Sequence, residues 1–74
     1  SRAPTEFESL TLGHLDAIYA GALRLTRNER DAEDLVQDAY LRAWRFFDKF
    51  ERGTNIKAWL FKILTNTFRT RGTP

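Results

Sequence analysis

The sequence predicts an all-α fold, a compact three-helix bundle formed by a single domain over residues 1–74. Three stretches repeat apolar residues at helical spacing, and no stretch of useful length alternates apolar and polar residues as a strand does. Hydrophobic residues make up 42% of the chain and aromatic residues 14%, which favours a folded chain over a disordered one. A chain of 74 residues is long enough for one modest core.

The first predicted helix begins at Thr5-Glu-Phe-Glu8, which follows Pro4 and has the form of a capping box. Apolar residues then recur at helical spacing as far as about Thr26, namely Leu12, Leu15, Ile18, Tyr19, Ala22 and Leu25. Gly13 and Gly21 each weaken a helix by about 1 kcal/mol relative to alanine, so tertiary packing must hold this one. Gly21 also allows a neighbouring helix to approach closely.

The second predicted helix has Asn28 as its N-cap and runs to about Phe47. Acidic residues in its first turns suit the positive end of the helix dipole. One apolar stripe is expected to face the core, namely Val36, Ala39, Tyr40, Ala43, Trp44 and Phe47. The opposite face places an apolar residue among polar ones, and its members are Asp34, Gln37, Asp38, Leu41 and Arg45. This face indicates a docking surface, and the alternative is an ordinary solvated face.

A polar connection follows over residues 48–55, in which Gly53 is free to adopt a positive φ and Thr54 or Asn55 can cap the next helix. Phe50 is expected to tuck under the bundle. The third predicted helix runs from Ile56 to about Thr70, with its inner face formed by Ile56, Leu60, Ile63, Leu64 and Thr67.

One flank of the third predicted helix carries chemistry that suits nucleic acid. Its residues are Trp59, Lys62, Asn66 and Arg69. A ring can stack on an unpaired base, an amide can pair with a base edge, and cations can meet phosphates. For Trp59, which borders the inner face, core packing is an equally strong interpretation.

The net charge of +2 hides an uneven distribution along the chain. Residues 1–38 carry four arginines and eight acidic residues, a formal charge of −4, whereas residues 39–74 carry eight Arg and Lys and two acidic residues, a formal charge of +6. Such a chain can present a basic surface to nucleic acid and an acidic one to a protein. With so few charged residues, an uneven distribution between the two halves also arises by chance.

The residues offer no enzyme chemistry and no site for a cofactor or a metal. There is no glycine-rich phosphate loop and no cysteine, and His14 is the one histidine. Asp34 and Asp38 lie one turn apart on an exposed face, outside the kind of apolar pocket that acid–base catalysis by a carboxyl group needs. No run is apolar enough to predict membrane insertion, and no signal peptide is evident.

The order of residues also resembles region 2 of bacterial sigma factors, specifically the extracytoplasmic-function (ECF) group, from about residue 7 to residue 70. The resemblance is carried by four segments: Leu23–Asn28, Asp31–Asp38, Arg42–Trp44 and Gly53–Asn66. It implies a non-enzymatic, cytoplasmic transcription initiation factor. In this family, region 2 binds the clamp helices of the RNA polymerase β′ subunit, and it recognises and melts the minus-ten promoter element.

The resemblance places the polymerase-binding motif on Asp34, Gln37, Asp38 and Leu41, with Arg45 at its border. It places the promoter-recognition loop on residues 50–55 and the recognition helix on residues 57–69. In the family these segments hold a flipped base of the non-template strand, and Asn66 matches the base-contacting asparagine, with Phe61 beside the pocket. The residues expected to bind DNA are Arg42, Arg52, Thr54, Asn55, Lys57, Trp59, Phe61, Lys62, Asn66 and Arg69.

Two departures from the wider sigma pattern qualify this expectation. Leu60 follows Trp59 where housekeeping sigma factors carry adjacent aromatic residues, which implies weaker melting and stricter promoter choice. The chain ends at Pro74, where such proteins continue into a linker and region 4, so we expect a fragment that binds its promoter weakly by itself. The resemblance also implies an anti-sigma factor as a partner of the full-length protein.

Two other functions fit the pattern of residues. A helix-turn-helix regulator would read duplex DNA through the major groove and would prefer an intact duplex. A pure interaction module would use the second predicted helix and would not bind nucleic acid.

Overall fold

The computed structural model describes residues 5–72, and the ends of the predicted domain, residues 1–4 and 73–74, lie outside them. The helices within this range are α1 (Glu6–Thr11), α2 (Leu15–Thr26), α3 (Glu29–Arg45) and α4 (Ile56–Gly72). Short 3-10 turns lie at Leu12–His14 and Phe47–Lys49. Helices α2, α3 and α4 form the predicted bundle, with α3 packed on both α2 and α4. No helix within residues 5–72 has the length and apolar character needed to cross a bilayer.

Helix α1 begins at the predicted capping box. The Thr5 hydroxyl accepts a hydrogen bond from the Glu8 N–H at 3.1 Å, and the Glu8 carboxylate accepts one from the Thr5 N–H at 2.8 Å. These bonds satisfy amide groups that have no partner within the first turn of a helix. The prediction of this helix start is confirmed.

The prediction of one continuous helix over residues 5–26 is wrong, because the chain passes through a 3-10 turn between α1 and α2. Gly13 lies in this turn, and glycine supports a regular helix poorly. Two of the apolar residues that recur at helical spacing are exposed: Leu12, in the 3-10 turn, by 53%, and Leu25, near the end of α2, by 38%.

The end of α1 is fixed by a buried threonine. The Thr11 hydroxyl donates a hydrogen bond to the Phe7 carbonyl at 2.8 Å and shares another, also 2.8 Å long, with the Tyr40 hydroxyl. Thr11 is fully buried, so these bonds satisfy a polar group that would otherwise be costly to remove from water. They also join α1 to α3, which holds the short helix in place.

Helix α3 begins at the predicted N-cap, where the Asn28 side-chain oxygen accepts a hydrogen bond from the Asp31 N–H at 2.9 Å. Its buried face consists of three alanines and a leucine, namely Ala32, Leu35, Ala39 and Ala43. The predicted stripe omits Leu35 and wrongly includes Trp44, whose side chain is 64% exposed. The buried face is rotated toward Leu35 because α3 packs against α2 on one side and α4 on the other.

The connection to α4 follows the prediction. Phe50 is buried, and Gly53 has a φ of +91°, a conformation that glycine adopts without strain. The Asn55 side-chain oxygen accepts a hydrogen bond from the Ala58 N–H at 3.1 Å and so caps α4. The inner face of α4 is also as predicted, with Leu60, Leu64 and Thr67 buried and Ile56 and Ile63 half-buried.

An aromatic cluster joins α1, the end of α3, the connection and the start of α4. It comprises Phe7, Tyr40, Phe47, Phe50 and Trp59, with the centroids of neighbouring rings 4.9 to 6.3 Å apart. Aromatic pairs of this kind contribute about 0.5–1.5 kcal/mol each beyond the area they bury. The cluster therefore holds the connection against the bundle.

Gly21 is the point at which α2 and α4 approach closely, as its sequence position predicts. A β-carbon built at Gly21 would lie 2.6 Å from Cε1 of Phe61, and 3.5 Å from Cδ2 of Leu64. Real side chains do not tolerate the shorter distance, so the Phe61 ring occupies space that only a glycine leaves. At Gly13, by contrast, a β-carbon would meet nothing within 4 Å.

We expect the two glycines to respond differently to alanine. Gly21→Ala should lower the free energy of unfolding by about 1 kcal/mol or more, because the cost of displacing the Phe61 ring exceeds the gain in helix propensity. Gly13→Ala should leave stability unchanged or raise it by up to about 1 kcal/mol. Urea denaturation followed by circular dichroism measures both, and equal stability of the two variants would contradict the close approach.

Candidate functional site

The exposed face of α3 has the composition that the sequence predicts. Asp34, Gln37, Leu41 and Arg45 are exposed, and Asp38 is half-buried at the edge of the face. Leu41 is 60% exposed, although leucine is among the residues most often found in the core. The structure thus brings all five predicted polymerase-binding residues onto one side of one helix.

Trp44 extends this face and was missed as a site residue because its spacing also suits the core stripe. It lies three residues after Leu41 and seven after Gln37, so all three occupy the same side of α3. Two large exposed apolar side chains next to carboxylates form a surface that suits a protein partner better than water. The sequence did contain a signal for this role, because Trp44 lies at the boundary of the predicted apolar stripe, where a large side chain can also face outward.

One ion pair joins the exposed face of α3 to the next surface. The Arg42 Nε lies 3.6 Å from the Asp38 Oδ1, one helical turn away, and both side chains are partly exposed. Asp38 was predicted to bind polymerase and Arg42 to bind DNA. The two predicted surfaces therefore meet at this pair.

A shallow cavity between α3 and α4 surrounds Asn66. Its volume is about 200 Å³, and its lining residues are Arg42, Phe46, Ile63, Asn66 and Thr67. Asn66 is exposed, whereas the Thr67 hydroxyl already donates to the Ile63 carbonyl at 2.7 Å. A ring, an amide and a guanidinium around one cavity are the groups that stack on a base, read its edge and meet its phosphate. Phe46 is the member that the sequence analysis missed.

Phe61 does not lie beside Asn66, and the prediction that placed it there is wrong. Phe61 lines a separate cavity with Gly21 and Leu64, on the side of α4 that faces α2. The two positions are five residues apart, which places them about 140° apart around a helix. Trp59 is likewise half-buried in the aromatic cluster, as its core-packing interpretation predicts.

The remaining predicted DNA-binding residues of α4 are exposed. They are Lys57, Lys62 and Arg69. Lys62 and Arg69 lie on the outward side of the helix, next to Asn66. No acidic residue follows Glu51 in the sequence, so no carboxylate on α4 reduces the positive charge of this surface.

The three predicted residues of the loop make contacts within the fold. The Thr54 hydroxyl donates to the Glu51 carbonyl at 2.6 Å, and Asn55 caps α4. Arg52 donates to the Glu6 carboxylate through both Nε and Nη2, the latter at 2.6 Å from Oε1, and its guanidinium lies 5.5 Å from the Phe47 ring centroid. The loop is therefore tied to α1 at its tip.

The Glu6–Arg52 pair changes the titration of both groups. The hydrogen bond from Arg52 lowers the pKa of the Glu6 carboxyl, and the same bond raises the pKa of Arg52. Both side chains are exposed, so water screens the pair and its contribution to stability is small. Elsewhere, no group of three or more His, Cys, Asp or Glu residues within 5–72 could hold a metal ion.

The fold and these surfaces define a helical domain with an apolar and acidic face on one helix and a base-sized cavity with basic surroundings on another. The model of the family Sigma-70 region 2 matches residues 10–71 of the chain. The chain is 38% identical over 66 residues to the ECF RNA polymerase sigma factor SigE of Mycolicibacterium smegmatis, and 44% identical over 59 residues to EcfG of Rhodopseudomonas palustris. These alignments cover 89% and 80% of the chain.

A solved structure is also similar. It is the sigma factor RpoE in complex with the anti-sigma factor NepR from Bartonella quintana, with a TM-score of 0.83 and 45% identity over 89% of this chain. The chain belongs to the Sigma-70 region 2 family, in the group of ECF sigma factors. This confirms the predicted family, its three-helix fold and its place among non-enzymatic transcription initiation factors.

The chain corresponds to part of its relatives. It spans 25% of SigE, 33% of EcfG and 41% of the RpoE chain.

Removing Arg52 should return the pKa of Glu6 to its ordinary range. The native pKa of Glu6 lies below the unfolded value, so the pair stabilises the fold above the ordinary pKa of a glutamate. That contribution is lost as the pH falls through the lowered native pKa. NMR titration of the Glu6 carboxyl carbon should show a higher pKa in Arg52→Ala than in the unchanged chain.

Arg45→Ala is the matched control, since Arg45 lies on α3 and does not contact Glu6. It should leave the titration of Glu6 unaltered. The same pKa of Glu6 in all three proteins would mean that the pair does not form in solution.

Proposed function

We propose that this chain is the promoter-recognition domain of an ECF sigma factor, acting on RNA polymerase in the cytoplasm. It binds the β′ clamp helices through the exposed face of α3, and it recognises and melts the minus-ten element by holding a flipped non-template base. The observation that carries the proposal is the adjacency of two surfaces. The apolar and acidic face of α3 meets the Asn66 cavity at the Asp38–Arg42 pair.

The face of α3 suits a helical partner rich in arginine. Asp34 and Asp38 can accept charge-assisted hydrogen bonds, which are shorter and stronger than neutral ones. Leu41 and Trp44 supply the large apolar contacts that dominate the binding energy of most interfaces. Gln37 and Arg45 border these contacts and add hydrogen bonds at the rim.

The Asn66 cavity suits a flipped base. Unstacking and unpairing a base costs a few kcal/mol, which stacking and polar contacts in the pocket must offset. Phe46 offers a ring to stack on, Asn66 offers donors and acceptors to a base edge, and Arg42 can meet the adjoining phosphate. Lys62 and Arg69 extend the phosphate contacts along the strand. Lys57 lies on the Phe61 side of α4 and takes no part in these contacts.

The remaining residues of the predicted DNA-binding set take supporting positions in this proposal. Arg52, Thr54 and Asn55 fix the conformation of the recognition loop through their contacts within the fold. Trp59 holds that loop through the aromatic cluster. Phe61 lies away from the strand, against α2.

We also infer that the full-length protein is regulated by an anti-sigma factor. Support comes from the RpoE structure, in which a similar domain is part of a complex with an anti-sigma factor. A partner that covers the face of α3 would exclude polymerase from the same surface.

The polymerase contact is tested on the exposed residues of α3. Leu41→Ala, Trp44→Ala and the double variant Gln37→Ala with Asp38→Ala should each weaken binding to a purified β′ clamp-helix fragment by about tenfold or more, a loss of about 1.4 kcal/mol. Isothermal titration calorimetry measures the affinity, and circular dichroism shows that each variant is folded.

Leu12→Ala is the matched control, because Leu12 is similarly exposed but lies in the turn between α1 and α2. It should bind as the unchanged chain does. Full affinity of a folded Trp44→Ala and of the double variant would refute the assignment of this face.

The DNA contact is tested with short labelled oligomers selected from a random single-stranded pool. The chain should prefer the single strand over the duplex of the same sequence, whereas a helix-turn-helix regulator would prefer the duplex. Asn66→Ala and Phe46→Ala should each weaken single-strand binding by about tenfold, and Lys62→Ala should reduce its salt dependence. Fluorescence anisotropy measures all of these.

Arg30→Ala serves as the control for Lys62→Ala, since both side chains are exposed but Arg30 lies in the first turn of α3. If the chain binds no oligomer, or if the Asn66 and Lys62 variants bind as the unchanged chain does, the DNA assignment is wrong and the chain is a protein-interaction module instead.

A further inference from the structure

The groove between α2 and α4 forms a third surface, to which the proposed polymerase and DNA contacts assign no role. It encloses about 190 Å³, with Gly21 and the buried Leu64 at its floor, Leu25 and Phe61 at its walls, and Arg24 and Thr65 at its rim. Gly21 has no side chain, and the Phe61 ring packs against it where the two helices approach closely. Its floor and walls are apolar.

The lining of this groove contains one charged residue, Arg24, and no aspartate or glutamate. The acidic residue of α2, Asp16, lies in the first turn of the helix, five residues before Gly21. Arg24 is exposed at the rim, and Lys57 is exposed one helical turn before Phe61 on the same side of α4. An apolar floor with basic edges complements a helix that carries leucine-like residues on one side and carboxylates beside them.

The groove lies on the far side of the bundle from the exposed face of α3, because α3 packs against both α2 and α4. The two faces also differ in charge. Asp34 and Asp38 border the apolar residues of α3, whereas Arg24 and Lys57 border those of the groove. Partners of opposite charge can therefore bind the two surfaces at the same time.

We propose that the α2–α4 groove is a docking site for an acidic amphipathic helix of a protein partner. An apolar side chain of that helix enters the groove and contacts Leu25 and Phe61, while its carboxylates pair with Arg24 and Lys57. A nucleic acid is the poorer match, because the floor offers aliphatic and ring carbon rather than hydrogen-bonding groups. The proposal does not depend on the polymerase or promoter contacts.

The test uses a fluorescent synthetic helix with leucines on one side and glutamates at the flanks. Its controls are the same residues in scrambled order and a version with lysine replacing each glutamate. The acidic helix should bind the chain about tenfold or more tightly than either control, and binding should weaken as salt screens the charges. In a nitrogen–proton NMR spectrum, the largest shifts should fall on residues 17–28 and 57–68.

Variants with matched controls locate the site. Arg24→Glu and Leu25→Glu should each weaken binding of the acidic helix about tenfold. Arg30→Glu and Leu12→Glu change similarly exposed residues outside the groove and should have little effect. Both leucines are exposed, and the spectrum of each variant shows that it is folded.

Three results would overturn the proposal: equal binding of the scrambled peptide, peptide-induced shifts confined to the face of α3, or displacement of the peptide by a single-stranded oligomer that shifts the same groove residues. None of these depends on whether the clamp-helix fragment binds. Failure of this proposal is therefore distinguishable from failure of the proposed function.

Discussion

The packing of a row of small side chains along α3 is the constraint on which the rest of the structure depends. Ala32, Ala39 and Ala43 are buried with Leu35 between them, so α2 and α4 can both approach α3 closely. In a chain this short the core is small, and Ile18 of α2 and Leu64 of α4 complete it around this row. Larger side chains in the row would force the helices apart. Because the row fixes how α3 is rotated, it also decides which of its residues face outward, including Leu41 and Trp44.

That rotation explains what the sequence could and could not predict. Local chemistry, such as the Thr5 capping box, the Asn28 cap and the positive φ of Gly53, depends on neighbours in the chain and was predicted correctly. Trp44 was misplaced because helical spacing defines a stripe only to within about one residue on either side, and the packing of two other helices decides its centre. The residues of the opposite face stay outside the core when the stripe is shifted by one residue, so this error did not change their predicted position.

The Asn66 cavity shows the same division between local and tertiary information. Asn66 was found from its position on the predicted helix, but Phe46 comes from the end of α3, and only the packing of two helices brings them together. Phe61 was placed beside Asn66 on the resemblance to the family, in which the matching residue lies beside the base pocket. A helix separates such positions by rotation, and the side of α4 that faces α2 was not determined by sequence alone.

The Asp38–Arg42 pair raises the question of whether polymerase binding could prepare the chain for DNA. A polymerase cation that pairs with Asp38 would compete with Arg42 and free its guanidinium for a phosphate. An exposed pair at this spacing contributes about 0.3–0.5 kcal/mol, which corresponds to a change in DNA affinity of about twofold at most. Coupling through this pair is therefore weak. Under the proposed function, a larger gain in promoter affinity must come from polymerase holding the strand close to the Asn66 cavity, since a tethered strand binds at a high effective concentration.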